Sequence, residues 1–232
     1  MSAFDKLLAA FEQPRDRFLA SVPIQRLMRG ELGARHYAQL MRQVFHQARE
    51  NPQIQAYATV RFRGPQREAV GLFYRHAISE IGHDELALSD FVACGGDATL
   101  VRTENPHPAT AAVTAFAFHQ ISNGNPVGYL GYLFFLEFLP TTRGELLVNQ
   151  LKASGVPENA FTFLRDHIQV DVGHNKAMEK YCELLLNNER AFAAAKYAMT
   201  ATGYLYTQMV SAAIEVADTH EDFGVAYEEM VV

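Results

Sequence analysis

The sequence predicts an all-α protein, a bundle of about seven helices, and two observations support this prediction. Strand signals are nearly absent, because β-branched residues are scattered and no stretch sustains an alternation of apolar and polar residues. Apolar residues instead recur at helical spacing over most of the 232 residues. The composition, 49% hydrophobic and 20% charged, is typical of a soluble globular protein. No linker divides the chain, so we expect one domain over residues 1–232.

The first three predicted helices are bounded by glycine and proline. The first covers about residues 3–12. The second covers about residues 34–50, between Gly33 and the Asn51-Pro52 pair, and His46 lies beside its apolar face. The third covers about residues 66–93, from the Gly64-Pro65 pair to the Gly95-Gly96 pair.

Four further helices are predicted in the second half of the chain. The stretch YLGYLFFLEFL is apolar nearly all round, as expected of a buried helix, yet Glu137 lies in its middle. An acidic tail at 220–232 is interpreted as a cap or a frayed end. The predicted helices cover about residues 109–122, 129–139 with a continuation over 143–154, 159–187 and 189–216, with the strongest break at 123–128.

The charge and the cysteine content restrict the partners and the compartment. A formal net charge of −6 without a basic run argues against a nucleic-acid or anionic-membrane surface, so a small molecule is the expected partner. Cys94 and Cys182 do not form a disulfide framework. The N-terminal stretch mixes apolar and charged residues and lacks a signal-peptide core. We therefore expect a cytoplasmic protein.

Two stretches, HAISEIGH and HIQVDVGH, follow one template of histidine, three residues, an acid, one residue, glycine and histidine. On an α-helix, positions i, i+4 and i+7 fall within about 40° of one another, so each template places three potential metal ligands on one stripe. Neutral imidazole together with carboxylate suits Fe, Mn, Zn and similar divalent ions. The candidate ligands from the templates are His76, Glu80, His83, His167, Asp171 and His174.

A second regularity links the two halves of the chain. Glu137 precedes His167 by 30 residues (167 − 137), and His46 precedes His76 by the same interval (76 − 46). The sequence therefore predicts two helix hairpins, each with one ligand on its first helix and three on its second, that face each other across a metal site. Four-helix metal proteins build their sites in this way, from inward Glu and Glu-x-x-His motifs.

Structural explanations exist for single members of this set. His46 and His76 are equally well explained as hydrogen-bonded core histidines. Glu137 is costly to bury unless it is paired, and a salt bridge to Arg143 is the alternative to a metal. Gly82 is interpreted as a position of close helix packing, because glycine inside a helix costs about 1 kcal/mol relative to alanine.

Four stretches resemble the heme-oxygenase-like diiron oxidases, a superfamily that shares its fold with heme oxygenase, thiaminase II and pyrroloquinoline-quinone synthase. RGELGARHYAQLMRQVFHQARENP resembles the first core helix of the family, ISEIGHDELALSDFVACGGD the second, LFFLEFLP the helix with a lone Glu, and DHIQVDVGHNKAMEKY the His-x-x-x-Asp-x-x-His helix. The resemblance covers residues 30–185. It implies a heme-oxygenase-like bundle with the metal site between core helices. The implied ligands of two iron ions, with O2 activated between them, are Glu80, His83, Glu137, His167, Asp171 and His174.

The chain differs from the family pattern at two positions. His76 stands where members often carry Glu, and His46 stands where some supply a carboxylate from the first core helix. Both histidines remain additional candidate ligands, and both replace an anion by a neutral group. Mn or a mixed metal pair therefore stays open beside two Fe ions.

The leading hypothesis is a non-heme diiron oxidase or oxygenase that uses O2 on a small organic substrate of the amino acid, amine or fatty acid type. An external reductant would fit this chemistry, and the long apolar helices favour a homodimer. Three alternatives remain: a heme-binding protein of the same fold with His46 as axial ligand, a metal-free enzyme like thiaminase II with Cys94 or Cys182 as nucleophile, and a regulatory protein that keeps the metal site as a structural remnant.

Overall fold

The computed structural model describes residues 1–219, without the side chains of residues 169–175. Within this part the chain forms eleven α-helices and two short 3₁₀ turns, at Gly64–Ala69 and Pro126–Gly128, and no strand. The all-α prediction is confirmed, although the helices number eleven rather than about seven. The helices are α1 (Ala3–Leu19), α2 (Val22–Met28), α3 (Ala34–Ala48), α4 (Asn51–Thr59), α5 (Val70–Ser79), α6 (His83–Ala93), α7 (Ala98–Thr103), α8 (Pro108–Asn123), α9 (Tyr129–Ala153), α10 (Thr162–Leu185) and α11 (Glu189–Thr219).

Helix α1 is longer than the predicted 3–12. Ser2 caps its start, where the Asp5 backbone N–H donates to Ser2 Oγ at 3.0 Å and Asp5 in turn accepts from the Ser2 N–H at 2.9 Å. The helix continues through the buried Pro14, and Phe18 remains buried in its last turn. Burial of this apolar stripe outweighs the hydrogen bond that proline cannot donate.

The chain between 66 and 93 is two helices, so the prediction of one continuous helix is wrong. Helix α5 ends at Ser79 and α6 begins at His83. Gly82, between them, has a φ of +100° in the left-handed region, where a side chain would be strained. A Cβ added at Gly82 would meet nothing within 4 Å. Gly82 therefore serves a turn in the backbone, and its interpretation as a close-packing position is wrong.

Helix α9 runs through the centre of the bundle, as its apolar sequence predicts. Its N-terminal half is buried all round, and a Cβ at Gly131 would meet the carbonyl oxygen of Ala195 on α11 at 1.9 Å. The predicted continuation over 143–154 is confirmed. Arg143 takes non-helical angles (φ −149°, ψ 20°) three residues after Pro140, so α9 has a kink there.

The short helices α2, α4 and α7 were not predicted. The sequence Asn51-Pro52 predicts a helix end, but α4 begins there. Proline is accepted in the first turn of a helix, because the backbone N–H that it lacks would have no intrahelical partner at that position. Helix α7 has only six residues, and Asp97 caps it by accepting the Thr99 backbone N–H at 2.8 Å.

A buried aspartate on α6 caps the N-terminus of α10. Asp90 accepts the backbone N–H groups of Thr162 at 2.7 Å and Phe163 at 3.0 Å, and the Thr162 hydroxyl at 2.6 Å. Tyr37 of α3 donates its hydroxyl to the same carboxylate at 3.2 Å. Asp90 is fully buried. It therefore joins three helices at one point and fixes the start of α10 against α6.

None of the described helices is long and apolar enough to span a membrane.

Candidate metal centre

Histidine and carboxylate side chains from α5, α6, α9 and α10 meet inside the bundle. They form two groups of three, and in each group the potential ligand atoms lie within 4.8 Å of one another. Glu80 belongs to both groups. The first group is His76, Glu80 and Glu137, and the second is Glu80, His83 and His167.

The first group is the more deeply buried. His76 Nε2 lies 3.4 Å from Glu80 Oε1 and 3.2 Å from Glu137 Oε1. The exposed fractions of these residues are 5% for His76, 5% for Glu80 and 7% for Glu137. Two carboxylates thus face one imidazole in a site from which most water is excluded.

The second group lies on the other oxygen of Glu80. His83 Nδ1 is 3.3 Å from Glu80 Oε2, and the rings of His83 and His167 have centroids 4.8 Å apart. His83 Nε2 is 3.5 Å from Oδ2 of Asp166, whose side chain is 37% exposed. The two oxygens of Glu80 therefore face different groups, which is the arrangement of a carboxylate that bridges two ions.

The break at Gly82 produces this geometry. Glu80 lies just beyond the end of α5, one turn after His76, and His83 is the first residue of α6. The left-handed turn at Gly82 redirects the chain between them. The first template therefore converges on one place without lying on one continuous helix.

Hydrogen bonds to the backbone and to tyrosine orient two of the histidines. His167 Nδ1 is 2.9 Å from the Phe163 carbonyl oxygen, which only accepts, so this nitrogen carries the proton and Nε2 keeps a lone pair. Tyr181 donates its hydroxyl to the Leu72 carbonyl at 3.2 Å and lies 3.3 Å from His76 Nδ1. His76 therefore donates Nδ1–H to the Tyr181 oxygen, and its Nε2 faces the carboxylates of Glu80 and Glu137. Such outer contacts are typical of metal-binding histidines.

The charges of the cluster shift the pKa values of its members. Burial lowers the pKa of His76, but Glu137 and Glu80 outweigh that effect and raise it to about 9. Burial raises the pKa of Glu80, yet His76 and His83 bring it well below its ordinary range. Burial and the neighbouring His83 both lower the pKa of His167. In the metal-free protein, a protonated His76 is thus the cation that compensates two buried carboxylates.

The site residues fit a metal pair. Glu80 Oε1 and His83 Nδ1 are buried and make no well-aligned hydrogen bond to any described residue, although other site atoms lie nearby. Buried polar atoms are normally hydrogen-bonded, so converging ligand atoms that lack a well-aligned hydrogen bond fit a site for a cation. The set of imidazole nitrogens and carboxylate oxygens suits Fe, Mn or Zn.

Three of the predicted site residues lie elsewhere or cannot be placed. His46 is not brought into either group: its Nε2 lies 3.2 Å from Oε1 of Glu104, which also accepts from Arg42 Nε at 2.6 Å. His46 is thus a buried, paired core histidine in the described chain. Asp171 and His174 fall among the residues whose side chains lie outside the described part.

The structure also tests the alternatives predicted for Glu137 and for the two cysteines. Glu137 lies against His76, whereas the proposed partner Arg143 is at the kink of α9 and lines a surface pocket with Asp16. Burial raises the pKa of the Cys94 thiol to about 11 and that of Cys182 to about 12. Neither cysteine thus has the lowered pKa of a nucleophilic thiolate.

Sequence reasoning missed Asp166, Tyr181 and Asp90. Asp166 is adjacent to His167 in the chain, and helical spacing assigns neighbours to different faces. Tyr181 is two turns past His174 and reads as a core aromatic. Asp90 caps a helix 72 residues away in sequence. Only its position as a carboxylate between Leu88 and Phe91 indicates burial.

Comparison with known proteins gives one family match. Residues 38–204 match the profile of a protein family described as "iron-containing redox enzyme". This range includes every described member of the two candidate metal-binding groups. No curated protein sequence matches the chain.

Solved structures resemble this one over nearly the whole chain. A domain of unknown function with a heme oxygenase-like fold from Shewanella denitrificans OS217 matches with a TM-score of 0.86 and 20% identity, over 96% of this chain and 98% of that one. A TenA homolog from Pseudomonas syringae pv. tomato DC3000 matches with a TM-score of 0.75 and 14% identity, over 91% and 92%. A TenA homologue from P. horikoshii OT3 matches with a TM-score of 0.70 and 12% identity, over 93% and 99%. The predicted heme-oxygenase-like fold is confirmed.

Proposed function

The chain belongs to the family of iron-containing redox enzymes, and from this premise we propose that it is a non-heme diiron enzyme that uses O2 to oxidise or oxygenate a small organic substrate. The observation that carries the proposal is the pair of three-residue groups that share Glu80. One carboxylate with each oxygen turned to a different set of ligands favours two ions over one.

We assign the ligands as follows. Glu80, His76 and Glu137 would hold one ion, and Glu80, His83 and His167 would hold the other. Asp171 and His174 remain proposed ligands from the sequence. Two Fe ions are the expected pair, and Mn or a mixed pair stays open.

Bound ferrous iron would supply the electrons for O2 chemistry, which no protein side chain provides. The protein residues orient the ligands and keep the site dry. Asp166 would hold the Nε2 proton of His83 and so leave Nδ1 free on the side of Glu80. The Phe163 ring, whose centroid is 4.0 Å from that of His167, covers one side of the imidazole and limits water access.

A substrate of the amino acid, amine or fatty acid type is proposed, together with an external reductant. The alternative based on a nucleophilic cysteine is disfavoured by the raised thiol pKa values of Cys94 and Cys182. The heme alternative would require His46 to leave its buried pair with Glu104.

Metal loading tests the proposal. Anaerobic titration with Fe(II) is expected to give about two ions per chain, and O2 added afterwards is expected to give a transient visible absorption band. Glu80→Gln should weaken the binding of both ions, whereas Glu145→Gln, an exposed glutamate on α9, should bind like the wild type. Failure of the wild type to retain iron would refute the proposal. A Soret shift with hemin that is lost in His46→Ala would favour the heme alternative instead.

A further inference from the structure

Two fully buried polar side chains, Gln55 and Tyr129, have no hydrogen-bond partner in the part of the chain that the structure describes. Both amide atoms of Gln55, Nε2 and Oε1, and the hydroxyl of Tyr129 lack a partner among the residues that the structure describes. The exposed fraction is 0% for both residues. A buried donor or acceptor without a partner costs free energy, so such groups occur where something else uses them.

Other buried glutamines in the same bundle make side-chain hydrogen bonds. Gln47 donates its Nε2 to Asn51 Oδ1 at 2.7 Å and to the Tyr132 hydroxyl at 2.8 Å. Gln43 Oε1 accepts the Thr110 hydroxyl at 2.6 Å. The fold therefore satisfies buried amides elsewhere on this side of the bundle, and Gln55 is an exception that packing does not explain.

The contacts of α4 indicate which part of the core Gln55 faces. Asn51, one turn before Gln55 on the same face of α4, accepts the Tyr132 hydroxyl at 2.9 Å. Just beyond the end of α4, Phe62 packs on Phe73 with ring centroids 5.2 Å apart. Gln55 lies between these two positions in the chain and is fully buried, so we infer that its side chain faces the part of the core between Tyr132 and Phe73.

Tyr129 occupies that part of the core. Its ring centroid is 5.6 Å from that of Tyr132 and 6.1 Å from that of Phe73. Burial raises the pKa of Tyr129 well above its ordinary value, and the charges of Glu80 and Glu137 raise it further. Phe73 lies one turn before His76 on α5, so Tyr129 packs next to the helix that carries a candidate metal ligand.

We propose that Gln55 and Tyr129 bind the polar end of the substrate, and that this end is a neutral group with a donor next to an acceptor, such as the carboxamide of an amidated amino acid, amine or fatty acid. This inference rests on the proposed function, because it places the substrate beside the metal ligands. A carboxamide pairs with Gln55 in both directions, N–H to oxygen and oxygen to N–H. A carboxylate offers only acceptors and an ammonium only donors, so either would leave one Gln55 atom unpaired. The rings of Phe62, Phe73 and Tyr129 supply an apolar wall for the rest of the molecule.

Benzamide is the probe for this pocket, with benzoate and benzylamine as controls of matched shape. Benzamide should raise the melting temperature of the full-length protein, and the two controls should not. Gln55→Met and Tyr129→Phe should each weaken benzamide binding by about tenfold or more, since each removes hydrogen bonds to the amide. Gln47→Met and Tyr132→Phe serve as matched controls that should bind benzamide like the wild type.

Stability without the probe gives a second readout. Gln55→Met and Tyr129→Phe should melt above the wild type, because they remove buried groups that lack partners, whereas Gln47→Met should melt below it. Lower melting of both Gln55→Met and Tyr129→Phe would overturn the inference, as would a benzamide effect that is absent from the wild type or retained in both variants. Iron uptake, measured on the same proteins, separates the two proposals. Normal uptake without benzamide binding refutes only the pocket, whereas no uptake by the wild type refutes the metal centre and the substrate assignment with it.

Discussion

Substitution of Asp90 by alanine should destabilise the protein far more than the loss of an ordinary helix cap. Asp90 is fully buried and accepts two backbone N–H groups of α10 and the hydroxyls of Thr162 and Tyr37. Loss of the cap costs about 1 kcal/mol. The Phe163 N–H and the Tyr37 hydroxyl would remain buried without an acceptor, at about 1.5 kcal/mol each. The expected decrease in the free energy of unfolding is therefore about 4 kcal/mol, and the melting temperature should fall by about 10 °C.

Urea denaturation of the metal-free protein measures this decrease, with Asp97→Ala as the matched control. Asp97 caps α7 through the Thr99 N–H but is exposed, so its loss should cost about 1 kcal/mol. Asp90→Asn, which keeps one acceptor oxygen, should lie between the two. Equal destabilisation by Asp90→Ala and Asp97→Ala would refute the assignment of Asp90 as the buried joint between α6 and α10.

Three further outcomes are expected. The folded-state pKa of His76 is raised from 6.5 to about 9, so protonation of His76 contributes about 3 kcal/mol to the free energy of unfolding. This contribution is fully present below about pH 6.5 and is lost as the pH rises through about 9. Urea denaturation of the metal-free protein at both ends of this range should show the loss, and the His76→Gln variant should not show it. Tyr181→Phe should weaken metal binding about tenfold or more, because it removes the acceptor for His76 Nδ1–H. Co(II) titration measures the affinity, and an unchanged affinity would contradict the role of Tyr181 in orienting His76. Gly82→Ala should lower the free energy of unfolding, measured in denaturant, by about 1–2 kcal/mol, because the φ of Gly82 is +100°. The control Gly71→Ala within α5 should be neutral or stabilising, since a Cβ at Gly71 would meet only Arg75, at an ordinary 3.7 Å.

Periodicity in the sequence was sufficient for the fold class and for most helices. The apolar stripes predict α3, α8, α9, α10 and α11 within a few residues, since burial of one face is a local property of the sequence. The errors occurred where one residue acts through its backbone. Gly82 breaks a helix that the side-chain pattern alone continues, and Pro52 begins a helix that the pattern ends.

For the candidate site too, the sequence pattern predicted most of the residues and misplaced one. Regular spacing identified His76, Glu80, His83, Glu137 and His167, and the structure brings these residues together. The interval of 30 residues also selected His46, which the structure instead places beside Glu104. Equal spacing predicts equal position only if both halves fold alike, and the break at Gly82 occurs within the first template.

The sequence by itself determined that the protein is helical, that its core contains histidines and carboxylates, and which of these residues share a helix or a turn. These properties depend on the period of the α-helix and on the cost of burying charge. Only the tertiary structure decided that Glu80 faces two groups, that Asp166 and Tyr181 support them, and that Asp90 fixes α10. These contacts join residues far apart in the chain, and their partners are selected by how the helices pack, which no local pattern records.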